Sequence, residues 1–403
     1  MKITIVSDVF PPEPVTSAFS ARDLAEELTG RGHDVTVIAP FPNRPTGILH
    51  EGVRRRFRST AERDGYSVVH TWHTLSKKSL LPSRLAENIS FGITSTIELI
   101  RASKPDVVYM NTWPLVAQLL NTATLKAKGV PVICVVHDMY PETILSESPT
   151  GVKGLVSRVL RRIDAQVYRW STKVTALNPR QGRYLETSRG VPEEKIAVIQ
   201  DWVDGSRFDP PAPQPTEGPF RVRYVGSLTR MAGLDLYIEA AEQLAHRDDI
   251  VIELVGDGAM RPDVEAAVAE KGLTNLRTIH PLSPEDVPDV QAEADVLSLS
   301  LLAGAAENTT PSKLLYYLFS ARPIIASVDD GSPAAQLVRD AGCGTVVAPG
   351  DGVAFARAIE DLADKRETLG EMGARAGDYA RATFSKDVAL PALGDFVEAQ
   401  ARR

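Results

Sequence analysis

The run Glu307-Asn308-Thr309-Thr310-Pro311-Ser312-Lys313-Leu314 carries the strongest chemical signal in the chain. Thr310 suits a helix N-cap and Pro311 a first helical residue, so a helix is expected to begin there. Lys313 then falls in the first turn, where a cation opposes the helix dipole. The placement is favourable when the lysine and the free backbone amides share an anion, and a nucleotide diphosphate would serve. A solvated lysine at a surface helix start is the plain alternative. Gly226-Ser227-Leu228-Thr229-Arg230 follows another apolar run and offers Arg230 as a second phosphate ligand. Gly256-Asp257-Gly258 ends a third run. Its glycines suit a tight turn at unusual dihedrals, which would also let a nucleobase approach closely.

A second group lies in the first half. His137 ends the apolar run VPVICVV and is followed by Asp138. Histidine there can meet a hydroxyl or a developing charge near neutral pH, or can simply be structural. The loop after the first strand, residues 8–17, ends in Thr16 and Ser17, which either cap the next helix or face a ligand. It contains no G-x-G-x-x-G, which argues against a dinucleotide enzyme. The two cysteines, Cys134 and Cys343, sit in separate halves. They exclude a zinc cluster of the Cys/His type and a disulfide framework, and read as reduced structural thiols.

The elements that must hold these loops alternate β-branched runs with helical patterns. ITIVS (3–7), DVTVIAP (34–40), DVVYM (106–110), VPVICVVH (130–137) and KVTALN (173–178) form one series. Near-continuous apolar strands separated by helices indicate a parallel sheet covered on both faces. Residues 208–220 hold five prolines in thirteen positions, a linker texture. A second series follows in 221–227, 250–258, 276–282, 295–301, 322–328 and 344–350. Helical patterns at 233–246, 261–272, 311–320, 333–341 and 352–380 lie between. The fold class is therefore α/β, with two doubly wound Rossmann-like domains. Ligands of such sheets lie beyond the carboxyl ends of the strands, so the site is expected in a cleft between the domains.

Of 403 residues, 43% are hydrophobic and 24% charged, which excludes a disordered chain. No run approaches the ~18 apolar residues of a membrane span, and MKITIVSDVF reads as a strand rather than a leader, so a cytoplasmic chain is expected. Residues 1–200 hold 26 Lys and Arg against 19 Asp and Glu, a balance of +7; residues 201–403 hold 19 against 33, a balance of −14. A basic first half suggests an anionic partner, or only unequal surfaces. Arg54-Arg55-Arg56-Phe57-Arg58 is one basic patch. The helix at 155–170 is another: Leu155, Val156, Val159, Leu160, Ile163 and Val167 share a face and arginines cover the rest. The apolar face is expected in the core, with an interfacial membrane helix as the alternative.

These loops, in this order, resemble glycosyltransferase family 4, the retaining GT-B glycosyltransferases. The similarity covers almost the whole chain: "SDVFPPEP…LAEELTGRGHDVTVIAP", "VIQDWVDGSRFDP", "YVGSL…GLDLYIEAAEQL", "ELVGDGAMR" and "TPSKLLYYLFSARPIIAS". The Pro-Ser-Lys wording is closest to the branch that builds bacterial surface polysaccharides from N-acetylated or deoxy sugars. The resemblance implies a GT-B fold with a central cleft and a nucleotide-sugar donor, UDP-linked. It implies metal-independent transfer with retained anomeric configuration, no cofactor, and a sugar or polyprenyl-linked acceptor. The acceptor would bind residues 1–205, through Thr16 and Ser17, and the donor residues 206–384. Residues 385–403 would cross back to the first domain. His137 matches the active-site histidine, with Asp138 beside it, and Lys313 and Arg230 would act on the diphosphate. Gly226, Ser227, Gly256, Asp257, Glu307, Asn308, Thr309, Thr310, Pro311, Ser312 and Tyr316 would complete the donor site.

The chain departs from the family pattern at named positions. The paired glutamates fall on Asn308 and Tyr316, the Arg and Lys of the "GRL…KG" loop on Ser227 and Ala232, and an Asn on Asp201. These departures keep two alternatives open: a catalytically silent GT-B partner or regulatory subunit, and a sugar-nucleotide epimerase using Asp138 and Glu307. No nucleic-acid partner is expected. Contact at the inner face of the cell membrane is, through the basic first half.

Overall fold

Buried β-branched runs make the strands, and each returns through a helix. The structure, a computed structural model, describes all residues except 14, 45, 78–80, 112–113, 138, 140–150, 210, 281–282, 306, 309 and 403. The side chains at 16, 81, 152, 153 and 284 are also outside the description. Two units emerge, one of residues Met1–Asp201 with Ala389–Arg403, the other of Trp202–Val388.

The first unit holds strands β1 (Lys2–Ser7), β2 (Asp34–Pro40), β3 (Arg58–Arg63), β4 (Tyr66–Thr71), β5 (Val107–Asn111), β6 (Val132–Val136), β7 (Lys173–Ala176) and β8 (Ile196–Val198). Their order is β3-β4-β2-β1-β5-β6-β7-β8, and only β3 runs antiparallel to its neighbour. Helices α1 (Thr16–Gly30), α2 (Leu81–Arg101), α3 (Leu115–Ala127), α4 (Gly151–Trp170) and α5 (Pro179–Arg189) connect them. The chain moves outward one way from β1 to β2 and the other way from β5 to β8. Right-handed crossovers therefore put α1 on one face and α2 to α5 on the other. The contacts agree: α2 packs on α3, α3 on α4 and α4 on α5.

The second unit holds β9 (Phe220–Val225), β10 (Ile250–Val255), β11 (Leu276–Ile279), β12 (Val296–Ser300), β13 (Ile324–Ser327) and β14 (Gly344–Val347). They form a wholly parallel sheet in the order β11-β10-β9-β12-β13-β14. Around it lie α6 (Asp235–Gln243), α7 (Arg261–Lys271), α8 (Val287–Ala292), α9 (Ser312–Phe319), α10 (Pro333–Asp340), α11 (Gly352–Ala363) and α12 (Leu369–Phe384). A last helix, α13 (Lys386–Ala401), begins in this unit and continues in the first. Fully buried Arg322 ties the proline-rich segment down, donating to the carbonyls of Ala212 and Pro213 and to that of Ala292.

Four sequence expectations need correcting. The pattern at 352–380 is two helices, parted by a short turn at Arg366–Thr368. Helix α9 starts at Ser312, so Pro311 takes the N-cap position and no side chain caps the helix; Thr310 does not. Val15, not Thr16 or Ser17, precedes α1, again without a side-chain cap. On α4 the apolar face is only partly core. Val167 is buried, yet Leu155, Val156 and Val159 are exposed. Apolar spacing fixes a helix but not what covers it.

Candidate active site

In the second unit the carboxyl ends of β9 and β10 are woven together by glycine. Gly226, Gly256 and Gly258 have φ of 153°, 149° and 156°. A Cβ on Gly256 would lie 2.0 Å from the Gly226 carbonyl oxygen, and one on Gly258 2.3 Å from that of Leu228. Only glycine permits this approach. The Asp257 carboxylate accepts the Gly258 amide at 2.8 Å, and its carbonyl accepts the Leu228 amide at 2.8 Å, locking the two loops. Beside them opens a pocket of about 300 Å³ lined by Val225, Gly226, Ser227, Val255, Gly256, Asp257, Val287 and Val290. Its walls are mostly valine and glycine backbone, with Ser227 and Asp257 between, a surface that suits a flat aromatic ring flanked by amides.

Lys313 approaches the same turn. A Cβ on Gly226 would stand 3.0 Å from the lysine Nζ. The ammonium lies 4.2 Å from the centre of the Tyr224 ring and donates a hydrogen bond to the Tyr224 hydroxyl. That hydroxyl donates in turn to the Ser227 carbonyl at 2.8 Å. Burial pulls the lysine pKa down from 10.5 to about 8. Among the described residues no carboxylate pairs with it, so a cation stands beside the pocket whose desolvation an anionic ligand would offset. Thr310 and Pro311 are half-buried and Ser312 exposed at the helix start.

Other expected donor residues stand apart. Arg230 is exposed in a short turn, Arg230–Ala232, without a side-chain partner among the described residues. Tyr316 leans on Phe208, ring centres 6.2 Å apart. Neither it nor Glu307 nor Asn308 is among the described residues lining the pocket. Thr309 lies outside the described residues.

In the first unit His137 directly follows β6. Its Nε2 is 2.5 Å from Asn111 Oδ1, at the end of β5. Both N–H bonds of the Asn111 amide are taken, one by the Ser17 carbonyl at 2.9 Å and one by Ser7 Oγ at 3.3 Å. The amide oxygen is therefore left to accept from the imidazole Nε2–H. The other ring nitrogen faces Asp201 at 3.9 Å. Ser17 and His137 are thus linked through Asn111, a residue the sequence reading missed. Its one signal was an amide closing a buried apolar strand. Asp138 and the Thr16 side chain lie outside the described residues.

Two doubly wound α/β units, with a glycine-woven pocket and a half-buried lysine on the second, have the fold of the GT-B class of glycosyltransferases. Two family models match in chain order, the "Glycosyl transferase 4-like domain" over residues 17–202 and "Glycosyl transferases group 1" over 219–365. The chain belongs to this glycosyltransferase family, in the branch that includes enzymes of bacterial surface polysaccharides. A relative named "Probable glycosyltransferase WbjE", from Pseudomonas aeruginosa, is 23% identical over 299 residues, 72% of this chain and 74% of that protein. Among solved structures, Anabaena HepE in complex with UDP superposes with a TM-score of 0.72 at 15% identity, over 99% of this chain and all of that one. WaaG, a glycosyltransferase of lipopolysaccharide biosynthesis, gives a TM-score of 0.67 at 17% identity, over 98% of this chain and 99% of that one. Among the described residues no group of three or more His, Cys, Asp and Glu is placed to hold a metal, and no helix is long and apolar enough to cross a membrane.

Proposed function

We propose that the chain transfers an N-acetylated or deoxy sugar, with retention, from a UDP-linked donor to a sugar or polyprenyl-linked acceptor. The donor binds the second unit and the acceptor the first. The observation that carries this reading is Lys313, a half-buried cation beside the glycine turn of a pocket shaped for a base. As the sugar–phosphate bond breaks, negative charge grows on the diphosphate. A cation fixed in advance stabilises that charge more than it stabilises the bound donor. The uncapped first-turn amides of α9 point the same positive potential there. The reaction then needs no metal. Arg230, on the loop after β9, reaches the diphosphate once donor is bound. Asp257 and Ser227 frame the base pocket, while Glu307, Asn308, Thr309, Thr310, Pro311, Ser312 and Tyr316 edge the sugar and ribose. His137 meets the transferred sugar: a hydroxyl approaching from the side can donate to its Nδ1, with Asp201 beside it. Asp138, Thr16 and Ser17 complete the acceptor side.

The test is release of free nucleotide from a panel of nucleotide sugars with EDTA present throughout, and the anomeric configuration of any product. Lys313→Ala should lower turnover by about 10²–10³, the usual cost of losing one oxyanion donor, with less effect on donor binding. A wild-type chain that binds nucleotide but never releases it would favour the silent-partner reading. Loss of activity in EDTA would remove the metal-free step.

A further inference from the structure

The middle of a buried parallel sheet is an unfavourable place for charge, yet the second unit keeps a row of it there. Glu253 of β10 stands in register with Arg223 of β9 on one side and Arg277 of β11 on the other. Glu253 is wholly buried and Arg223 nearly so. Arg223 Nε donates to Glu253 Oε2, and Arg277 donates to Oε1 through Nε at 2.9 Å and through Nη2. Burial works to raise the Glu253 pKa, but bonds from the two guanidinium groups outweigh it and hold the carboxyl below its ordinary range. A buried ion pair is often no better for stability than well-packed apolar side chains of the same size. Its place in the unit supplies a reason beyond stability.

Side chains two apart on a strand share a face. Two residues beyond Arg223 and Glu253 come Val225 and Val255, also paired in register, and both line the pocket at the ends of β9 and β10. Two more lining valines, Val287 and Val290, belong to α8, a helix of six residues. So short a helix has little stability of its own and stands where its contacts hold it. Arg223 reaches out of the ionic row to its end: Nη1 donates to the Val290 carbonyl at 2.6 Å and to the Glu293 carboxylate at 2.8 Å. Ser320 donates to the Gln291 side chain and Arg322 to the Ala292 carbonyl at 3.1 Å, which ties α8 to the turn after α9. The Arg223 tether runs instead to the sheet, so it sets where the two valines of the helix stand relative to the two of the strands.

We propose that Arg223, charge-balanced by Glu253, is a positioning residue for the donor's nucleobase: it pins α8 to the sheet and fixes the spacing of the four valines that line the base pocket. The proposal rests on the preceding reading of that pocket as the seat of the base. It gives a binding role to a buried pair that touches neither the substrate nor the reacting atoms.

The experiment compares variants of the full chain by thermal unfolding, by titration with UDP, and by amide hydrogen exchange of α8 without nucleotide. Arg223→Met leaves Glu253 buried with a single partner and should lower both Tm and UDP affinity. Arg223→Met with Glu253→Met removes both buried charges, so Tm should return to the wild-type value or above it. In that double variant α8 should still exchange faster, and UDP should bind about tenfold more weakly. Stability and binding then part, which a merely structural pair would not allow. Arg223→Lys keeps the charge beside Glu253 but lacks the fork that also reaches Val290, and should show the same weakening in a chain that folds normally. Arg277→Ala removes the exposed partner and leaves the tether, so UDP affinity should stay within about twofold of wild type. In turnover assays the Arg223 variants should raise the donor KM with kcat nearly unchanged. Three results would overturn the proposal: a double variant that binds UDP like the wild type, α8 exchange that is unchanged when Arg223 is lost, or an equal loss of affinity in Arg277→Ala. A wild-type chain that binds no UDP would unseat the reading of the pocket instead, and exchange of α8 would still decide whether Arg223 pins the helix.

Discussion

At the scale of single residues, Lys313 holds a position that opposes folding. Its pKa falls from 10.5 to about 8 through burial. Below pH 8 the folded unit must hold a charge that the unfolded chain carries freely, and the penalty is full. As pH rises from 8 to 10.5 the folded state has already lost its proton and the penalty fades. Lys313→Met should therefore stabilise the protein at pH 7, on the order of 1–3 kcal/mol, while removing turnover. Thermal unfolding at pH 7 and pH 10 checks it: the variant's advantage should shrink at the higher pH, and a lower Tm at pH 7 would refute the assignment. Tyr224 acts through this lysine. Its hydroxyl accepts from the ammonium and so favours the charged form, while its ring keeps an edge-on contact with Tyr237, centres 5.9 Å apart. Tyr224→Phe keeps the packing and loses the acceptor. Turnover should fall roughly tenfold and the alkaline limb of the kcat/KM profile should move to lower pH. A limb that stays in place would make Tyr224 structural only.

At the scale of elements, the glycine turn joins sequence to site most directly. Gly256→Ala must push its Cβ into the Gly226 carbonyl at 2.0 Å, whereas Gly272, also at positive φ (59°), has nothing within 4 Å. Gly272→Ala should cost about 1 kcal/mol, the strain of the left-handed backbone alone. Gly256→Ala should cost several times that and abolish nucleotide binding, read by urea unfolding and by titration with UDP. Equal costs would mean that the two loops are not woven as described. The glycine pair and the lysine were legible because their residue types are costly where they stand. The edge hairpin β3–β4 was not read from the sequence. RSTAER is polar and almost wholly exposed, so no apolar pattern marks β3, and it is held by pairing with β4. Nor does a helical period reveal its cover. Leu155, Val156 and Val159 repeat like core residues, and only the positions of α3 and α5 decide that they face outward. Asn111 and Tyr224 escaped because their roles come from neighbours far along the chain.

At the scale of the whole chain, the last fifteen residues belong to the unit formed by the first two hundred. The tie is both apolar and ionic. Leu390, Leu393 and Val397 of α13 are 4%, 1% and 0% exposed. Arg31, the residue that caps the end of α1, donates to Asp395 at 2.6 Å, Glu398 at 3.2 Å and the Pro391 carbonyl at 2.8 Å, and His33 Nε2 lies 2.9 Å from Glu398. Bonds from His33 and Arg31 hold the Glu398 carboxyl below its ordinary range. That part of the tie is present at neutral pH and is lost as pH falls through the lowered pKa. Burial of three aliphatic side chains contributes about 1.5–3 kcal/mol each, comparable to the whole margin of a folded domain. A chain ending at Val388 should therefore lose the first unit's stability and leave the second's intact. Hydrogen exchange reads the two apart: β1 and β2 should exchange far faster, while β9 and β10 keep their protection. Arg31→Ala should reproduce a milder form of the same pattern, roughly 1–3 kcal/mol, because it removes charge-assisted bonds but leaves the aliphatic contact. Protection of β1 and β2 that survives the truncation would show that the first unit holds itself together without α13.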